Sequence, residues 1–306
     1  KETNVSVHTV RRIIDDTARL LTIKPLHDLP EHLCFDEFKS VKSSDSNMSF
    51  IICDSTTHKL VDVVRDRKSY SLKQYFHRFE PKTRLKVKTI SIDMYLPYIQ
   101  LIKEMFPNAK IIIDPFHIVQ ALNRELNRTR VRVMNKHRYK DPKLYRKLKH
   151  YWKLILKNPN ELQNYKYNRY KLFESFITSK GIVDYILENN PSLKNDYEVV
   201  HSLRECIQDR DYIEFKETIE AATQLDLSPG LKRVLKTLMT YLPYIQNTCE
   251  YPTRTNGPIE GINNKIKVLK RNAYGFRNYY HFRNRIILIT KMFGPKQKGI
   301  KQQLVA

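Results

Sequence analysis

The chain has 306 residues, 41% hydrophobic and 11% aromatic, which gives room for two or three packed domains and argues against a disordered tail. Lys and Arg number 55 against 32 Asp and Glu, a net charge of +23; such an excess favours a polyanion, because neutralising phosphates releases condensed counterions, although membrane-surface and ribosome-associated proteins are basic too. No apolar run reaches the roughly 20 residues of a membrane span, the start Lys1-Glu2-Thr3-Asn4 has no signal-peptide pattern, and the first glycine is Gly181, which excludes glycine-rich phosphate loops before it.

The chain starts at Lys1 without Met, so a preceding portion is expected. Residues 5–21 read as a short basic helix with a Ser or Thr cap, either the last helix of a helix-turn-helix or a solvated connector. Leu33 to Phe38, Met48 to Cys53 and Leu60 to Val64 are β-rich runs parted by polar turns, a three-stranded meander. A helix is expected around Ser71–Phe79, a strand over Val87–Asp93, a helix over Tyr98–Phe106 and a strand over Lys110–Asp114. The order βββ-α-β-α-β predicts a mixed α/β fold with a ribonuclease H-like, five-stranded mixed sheet and flanking helices. From residue 116 to 250 the pattern is helical, with helices expected over Tyr139–Leu156, Tyr165–Ile177, Ile182–Glu188 and Tyr212–Ala222, punctuated by Pro142, Pro159, Pro191 and Pro229. Gly257 to Phe293 holds two last expected helices, parted by Ala273-Tyr274-Gly275-Phe276. Cys34, Cys53, Cys206 and Cys249 are scattered, so neither a disulfide framework nor a cysteine zinc site is indicated, and a reducing compartment is the default.

Asp36 stands inside the first strand and Asp93 ends the fourth, where ligands bind in α/β sheets. If those strands are neighbours, the two carboxylates share a small volume, and a divalent cation would relieve their repulsion. Each has a plain alternative: an edge-strand charge for Asp36, a helix cap for Asp93. Glu260 falls in the first turn of a helix that starts after Asn256-Gly257-Pro258; Ile259, Ile262, Ile266 and Leu269 form its core stripe, with Glu260, Asn263, Asn264, Lys267 and Arg271 on the other faces. Alone, Glu260 would merely complement the helix dipole. Asp114 and His117, a D-x-x-H pair after the fifth strand, are an alternative metal site; topology favours Asp93 as the second acid and leaves Asp114 and His117 in support or against DNA. Asp54 and Glu37 are expected to face solvent.

The stretch Asn256-Gly257-Pro258-Ile259-Glu260-Gly261-Ile262-Asn263-Asn264-Lys265-Ile266-Lys267-Val268-Leu269-Lys270-Arg271, then Ala273-Tyr274-Gly275-Phe276-Arg277-Asn278 and Phe282-Arg283-Asn284-Arg285-Ile286, strongly resembles the closing signature of the ISL-three family of bacterial insertion-sequence transposases. So do Ser91-Ile92-Asp93-Met94-Tyr95, Phe106-Pro107-Asn108-Ala109-Lys110 and Asp114-Pro115-Phe116-His117, and Phe35-Asp36-Glu37-Phe38 fits the family's first acidic position. The resemblance spans residues 5–295. It implies a DDE-type catalytic domain of ribonuclease H-like fold, interrupted before the glutamate by a large all-helical insertion. Family members resemble longer chains with a cysteine zinc module and a full helix-turn-helix ahead of the catalytic domain; here only the tail of the latter is expected.

The expected organisation is a helix-turn-helix remnant and linker at 1–30, the first part of the catalytic domain at 31–136, the helical insertion at 137–252, and at 253–306 the closing part with the catalytic glutamate helix and a basic C-terminal helix. The expected chemistry is DNA strand cleavage and strand transfer with Asp36, Asp93 and Glu260 holding two Mg²⁺ ions, for which Mn²⁺ can substitute. Asn263, Asn264, Lys265, Lys267, Lys270, Arg271, Arg277, Arg283 and Arg285 are expected to meet DNA, with a second cluster at Arg124, Arg128, Arg130 and Arg132; solvated helix faces are the plain alternative for both. The partners expected are double-stranded transposon ends and target DNA and a second copy of the chain, without a membrane, in the nucleoid-associated cytoplasm of a bacterium. Two rivals are an inactive transposase-derived protein that only binds DNA and another ribonuclease H-like nuclease.

Overall fold

The structure, a computed structural model, describes residues 4–22, 27–44 and 47–292. The chain forms two compact units, one built from residues up to Ile112 and from Arg254 onward, the other from Ile113–Thr253.

In the first unit, strands β1 (His32–Lys39), β2 (Met48–Asp54), β3 (Leu60–Val64), β4 (Thr89–Ile92) and β5 (Lys110–Ile113) form one sheet in the order β3-β2-β1-β4-β5. The β1–β2 and β2–β3 pairs are antiparallel, with an irregularity at Ile52/Cys53, and β1 runs parallel to β4. The meander expected from the sequence is thus in place, and the mixed sheet has the ribonuclease H-like order. Both faces of the sheet are covered, so its central strands are apolar in runs rather than in strict alternation.

One face is aromatic. Phe35 and Phe50 meet at 5.1 Å between ring centroids, and Phe76 of α2 (Ser69–Phe76) stacks on Phe35 at 5.5 Å. Phe106, just past α4 (Leu96–Met105), packs on Phe76 at 4.9 Å. A short α3 (Pro81–Leu85) precedes β4. The opposite face carries Cys34, Phe38, Ile51, Cys53 and Val63, packed against Ile259, Ile262 and Ile266 of α12 (Gly257–Asn272) and Tyr279, Phe282 and Ile286 of α13 (Tyr279–Lys291). Helix α1 (Val7–Leu21), capped by Ser6 Oγ accepting from the Thr9 amide at 3.1 Å, adds Ile14, Ala18 and Leu21 to that core. Asn284 of α13 donates to Asp15, and Lys291 donates to the Leu21 carbonyl. Full burial of each such large apolar side chain contributes about 1.5–3 kcal/mol.

The second unit is helical: α5 (Pro115–Lys136), α6 (Pro142–His150), α7 (Trp152–Leu156), α8 (Ser179–Glu188), α9 (Pro191–Asp209), α10 (Tyr212–Ala222) and α11 (Pro229–Glu250). The prolines that punctuate the sequence here open helices, because Pro lacks the amide that a first turn leaves unpaired. Buried Asp196 of α9 accepts from Thr129 of α5 at 2.7 Å and from the Ser228 amide ahead of α11 at 2.9 Å, tying three helices together. Residues 165–177, expected as a helix, instead form a hairpin of β6 (Asn168–Arg169) and β7 (Phe176–Ile177). Aromatic density favours extended chain there, and Leu172 turns it at φ 69°. Tyr151 breaks the expected Tyr139–Leu156 helix in two; its ring packs on Phe173 at 5.8 Å and its hydroxyl donates to the Lys171 carbonyl. No helix among the described residues is long and apolar enough to cross a membrane.

Candidate active site

Strand register places the first two acids. His32 pairs with Thr89, Leu33 with Ile90 and Cys34 with Ser91, an offset of 57 residues. Asp93 stands at that same offset from Asp36, so continuing the register two residues past Cys34–Ser91 sets the two aspartates side by side. Alternation along each strand fixes the face. Asp36 shares parity with Cys34 and Phe38, and Asp93 with Ser91. Cys34 Sγ donates to the Thr255 carbonyl and Ser91 Oγ to the Arg254 carbonyl. Both aspartates therefore lie on the side covered by the approach to α12 and by α12 itself, and both are half-buried.

Helix α12 is held against them by two asparagines. Asn256, its N-cap, donates from Nδ2 to Asp93 Oδ1 at 3.2 Å and to the Phe35 carbonyl at 3.2 Å. Asn263 donates from Nδ2 to Asp36 Oδ2 at 2.7 Å. Glu260 follows Asn256 by one helical turn and precedes Asn263 by another, so all three share a face. Its own side chain is exposed. Ile259, Ile262 and Ile266 point away into the core, as their spacing requires.

Among the described residues no three His, Cys, Asp or Glu side chains stand close enough together to hold a metal ion as they are. The donor chemistry nonetheless fits a hard divalent cation: two aspartates at the same offset on neighbouring strands and a glutamate on the helix bonded to both. The Oδ1 atoms of Asn256 and Asn263 are both buried and have no hydrogen-bond partner among the described residues, the kind of acceptor a hydrated cation satisfies.

The remaining candidates separate clearly. Asp114 caps α5, accepting from the Phe116 amide at 3.1 Å, and belongs with His117 to the helical unit. Glu37, expected to face solvent, is half-buried: Arg67 Nη1 reaches both its oxygens at 2.8 Å, and Tyr98 donates to it at 3.3 Å. Burial, and then the Glu37 charge, push the Tyr98 hydroxyl well above its ordinary range. Asp54 accepts from the Thr56 and Thr57 amides in an exposed turn.

Among the expected DNA contacts, Asn264, Lys265, Lys267, Arg271, Arg277 and Arg285 are exposed. Two cations are engaged in the fold. Lys270 Nζ donates to the Lys39 and Ser40 carbonyls, both at 2.9 Å, and burial lowers its pKa. Arg283 pairs with buried Asp62 and donates to the Val63 carbonyl at 3.0 Å. In the helical unit Arg128 and Arg132 each bridge to buried Glu125 at 3.3 Å. Arg130 is itself buried, donating to the Leu148 carbonyl at 2.8 Å. Nothing in the sequence pattern singles out Asn256, and Asn263 is expected at DNA; the signal available for both is their placement one turn to either side of Glu260.

Residues 33–286 match the profile of a family described as Transposase. The transposase for insertion sequence element IS1001 from Bordetella parapertussis is 27% identical over 280 residues, covering 90% of this chain and 64% of that one. A Lactococcus lactis subsp. lactis protein named ATP-dependent protease is 36% identical over 130 residues, 42% of this chain and 40% of that one. The chain thus spans less than two thirds of the length of either curated relative. No solved structure matches. The profile match runs from β1 to within α13 and takes in Asp36, Asp93 and the α12 signature, and with it the chain belongs to the transposase family of the DDE, ISL-three type.

Proposed function

We propose that the chain is the catalytic part of a transposase that cuts and rejoins DNA by metal-assisted phosphoryl transfer, with Asp36, Asp93 and Glu260 as the acidic set. The observation that carries this reading is that Asp36 and Asp93 stand at the 57-residue offset of the parallel β1–β4 pairing, with α12 hydrogen-bonded to both and Glu260 between the two contacts along the helix. The three carboxylates would hold two Mg²⁺ ions, or Mn²⁺ in their place. Bound divalent ions supply Lewis-acid activation of the attacking oxygen and charge stabilisation of the leaving oxygen. The chain itself contributes the rest. β1 and β4 fix the spacing of the aspartates, and α12 carries the glutamate in its exposed first turn, one turn from each asparagine that is bonded to them. Lys265, Lys267 and Arg271 on α12, with Arg277 and Arg285 beyond it, take phosphates on the exposed side. Asp114 and His117 serve as support or in contact with DNA rather than as the second ligand. The substrate is double-stranded DNA, both the ends of a bacterial insertion sequence and its target, and the working form is a dimer on DNA in the bacterial cytoplasm.

The test is single-turnover cleavage of a duplex carrying the terminal sequence of the element that encodes the chain, with Mg²⁺ or Mn²⁺, alongside a gel-shift titration. Glu260→Gln keeps size and hydrogen bonding but removes a charge. Cleavage is expected to fall by about 10²–10³ or more, while DNA affinity holds or rises slightly. Equal cleavage by the variant and the parent would overturn the assignment. A parent that binds DNA but never cuts it would favour the inactive, DNA-binding alternative.

A further inference from the structure

Asn256 and Asn263 use their side chains in an unusual way. An asparagine at an N-cap ordinarily turns its side-chain oxygen back to the amides of the first turn, a bond typically contributing about 1 kcal/mol. Asn256 occupies the N-cap of α12 and makes no such bond. Its amide is turned outward instead: Nδ2 donates to the Phe35 carbonyl on β1 and to Asp93 just beyond β4, so one side chain spans the two central strands. Asn263 sits inside the helix, where asparagine is a poor former, and donates to Asp36. Each aspartate thus has one oxygen committed to an asparagine. Both asparagines keep a buried Oδ1 with no partner among the described residues, and Asn256 is only 5% exposed. Leaving a buried acceptor unpaired is costly, so two on one helix face call for an incoming donor.

We infer that Asn256 and Asn263 are positioning residues of the metal-holding site: their Nδ2 groups fix the orientation of Asp93 and Asp36, and their Oδ1 atoms accept hydrogen bonds from a hydrated divalent cation. The chemistry requires an amide. A carboxylate at either position would add a negative charge beside an aspartate, and an aliphatic side chain would remove the amide hydrogen bond to it. This inference rests on the proposed acidic set and reassigns Asn263 from DNA contact to the ion site.

The test uses the full chain and Mn²⁺ alone, read by the electron paramagnetic resonance of the free ion, with thermal melting and affinity for an arbitrary duplex measured in parallel. Asn263 is the residue to change, since Asn256 is buried and its loss threatens folding. Asn263→Ala is expected to weaken Mn²⁺ binding about ten-fold, the scale of one charge-assisted hydrogen bond, with duplex affinity unchanged. Asn263→Gln, which retains an amide, is expected to recover part of that loss. Asn272→Ala, at the exposed end of the same helix, should bind Mn²⁺ as the parent does. If Asn263→Ala binds Mn²⁺ like the parent while Asp36→Asn does not, the inference fails and the acidic set stands. Equal impairment of the Ala and Gln variants, or a drop in melting temperature without loss of Mn²⁺ affinity, also overturns it by making the bond a docking contact. If Asp36→Asn and the parent bind Mn²⁺ alike, the acidic set fails and takes this inference with it.

Discussion

Two glycines, one in each unit, show how local surroundings set the sign of a substitution. A Cβ built on Gly230, in the first turn of α11, would lie 1.7 Å from Glu125 Oε1. That carboxylate is only 4% exposed and is gripped by Arg128 and Arg132, so it has little freedom to yield. Its position over a helix start also suits its charge. Gly230→Ala is expected to displace Glu125, disturb both ion pairs and cost about 1–3 kcal/mol. Gly261 lies on the exposed side of α12, where a Cβ would meet nothing within 4 Å. Gly261→Ala should raise stability by up to about 1 kcal/mol, because alanine loses less backbone freedom on entering a helix. Thermal denaturation of both variants checks the pair, and two shifts of the same sign would refute the local account.

At the scale of elements, the end of α7 in the helical unit is tied to α9 by a buried histidine and a half-buried arginine. His201 of α9 is hydrogen-bonded through Nε2 to the Ile155 carbonyl near the end of α7 at 3.0 Å, and Arg204 donates to its Nδ1 at 3.1 Å and to the Leu156 carbonyl at 3.0 Å. Burial, aided by the Arg204 charge and opposed by the carbonyl bond, pushes His201 from 6.5 down to about 4. The unfolded chain therefore takes up a proton at a higher pH than the folded one. Stability from this site is fully present above about pH 6.5, falls as the pH drops from there toward 4, and loses about 3 kcal/mol in all. Melting curves between pH 7.5 and 4.5 should show this slope, and His201→Gln should flatten it. A variant with the parent's pH dependence would place the acid sensitivity elsewhere. The hairpin of β6 and β7 belongs to this scale as well. Its two-residue strands are too short for periodicity to announce, and the decisive contacts come from Tyr151, distant in sequence.

For the whole molecule, the +23 charge sets a measurable property. Affinity for duplex DNA should fall as salt rises, log K dropping by about 0.9 per phosphate contact for each log unit of salt. Replacing a cation that meets phosphate should lessen that slope by about the same amount. Lys267→Ala and Arg271→Ala, at exposed positions, are expected to do so. Arg283→Ala is expected to lower stability and leave the slope nearly unchanged, because its guanidinium is engaged by Asp62 and the Val63 carbonyl. A flat salt response of the parent would mean that the charge serves another partner.

The sequence by itself determined the order of the sheet elements, the core stripe of α12 and the family. Apolar periodicity, cap residues and helix-opening prolines act over a few residues, and the family signature is a contiguous string. It also held the spacing of Asp36 and Asp93, which became meaningful only when β1 and β4 proved to be parallel neighbours at that same offset. What tertiary structure alone decided were the partners of charged and amide side chains. Lys270, Arg283 and Arg130 look like free cations in a string of letters, yet each is taken up by carbonyls or a carboxylate that chain folding brings to it. The asparagines flanking Glu260 look like polar helix surface, and their engagement with the two aspartates depends on strands more than 160 residues away in the chain. Hydrogen-bond partners of this kind are set by three-dimensional approach, and neither propensity nor periodicity encodes it.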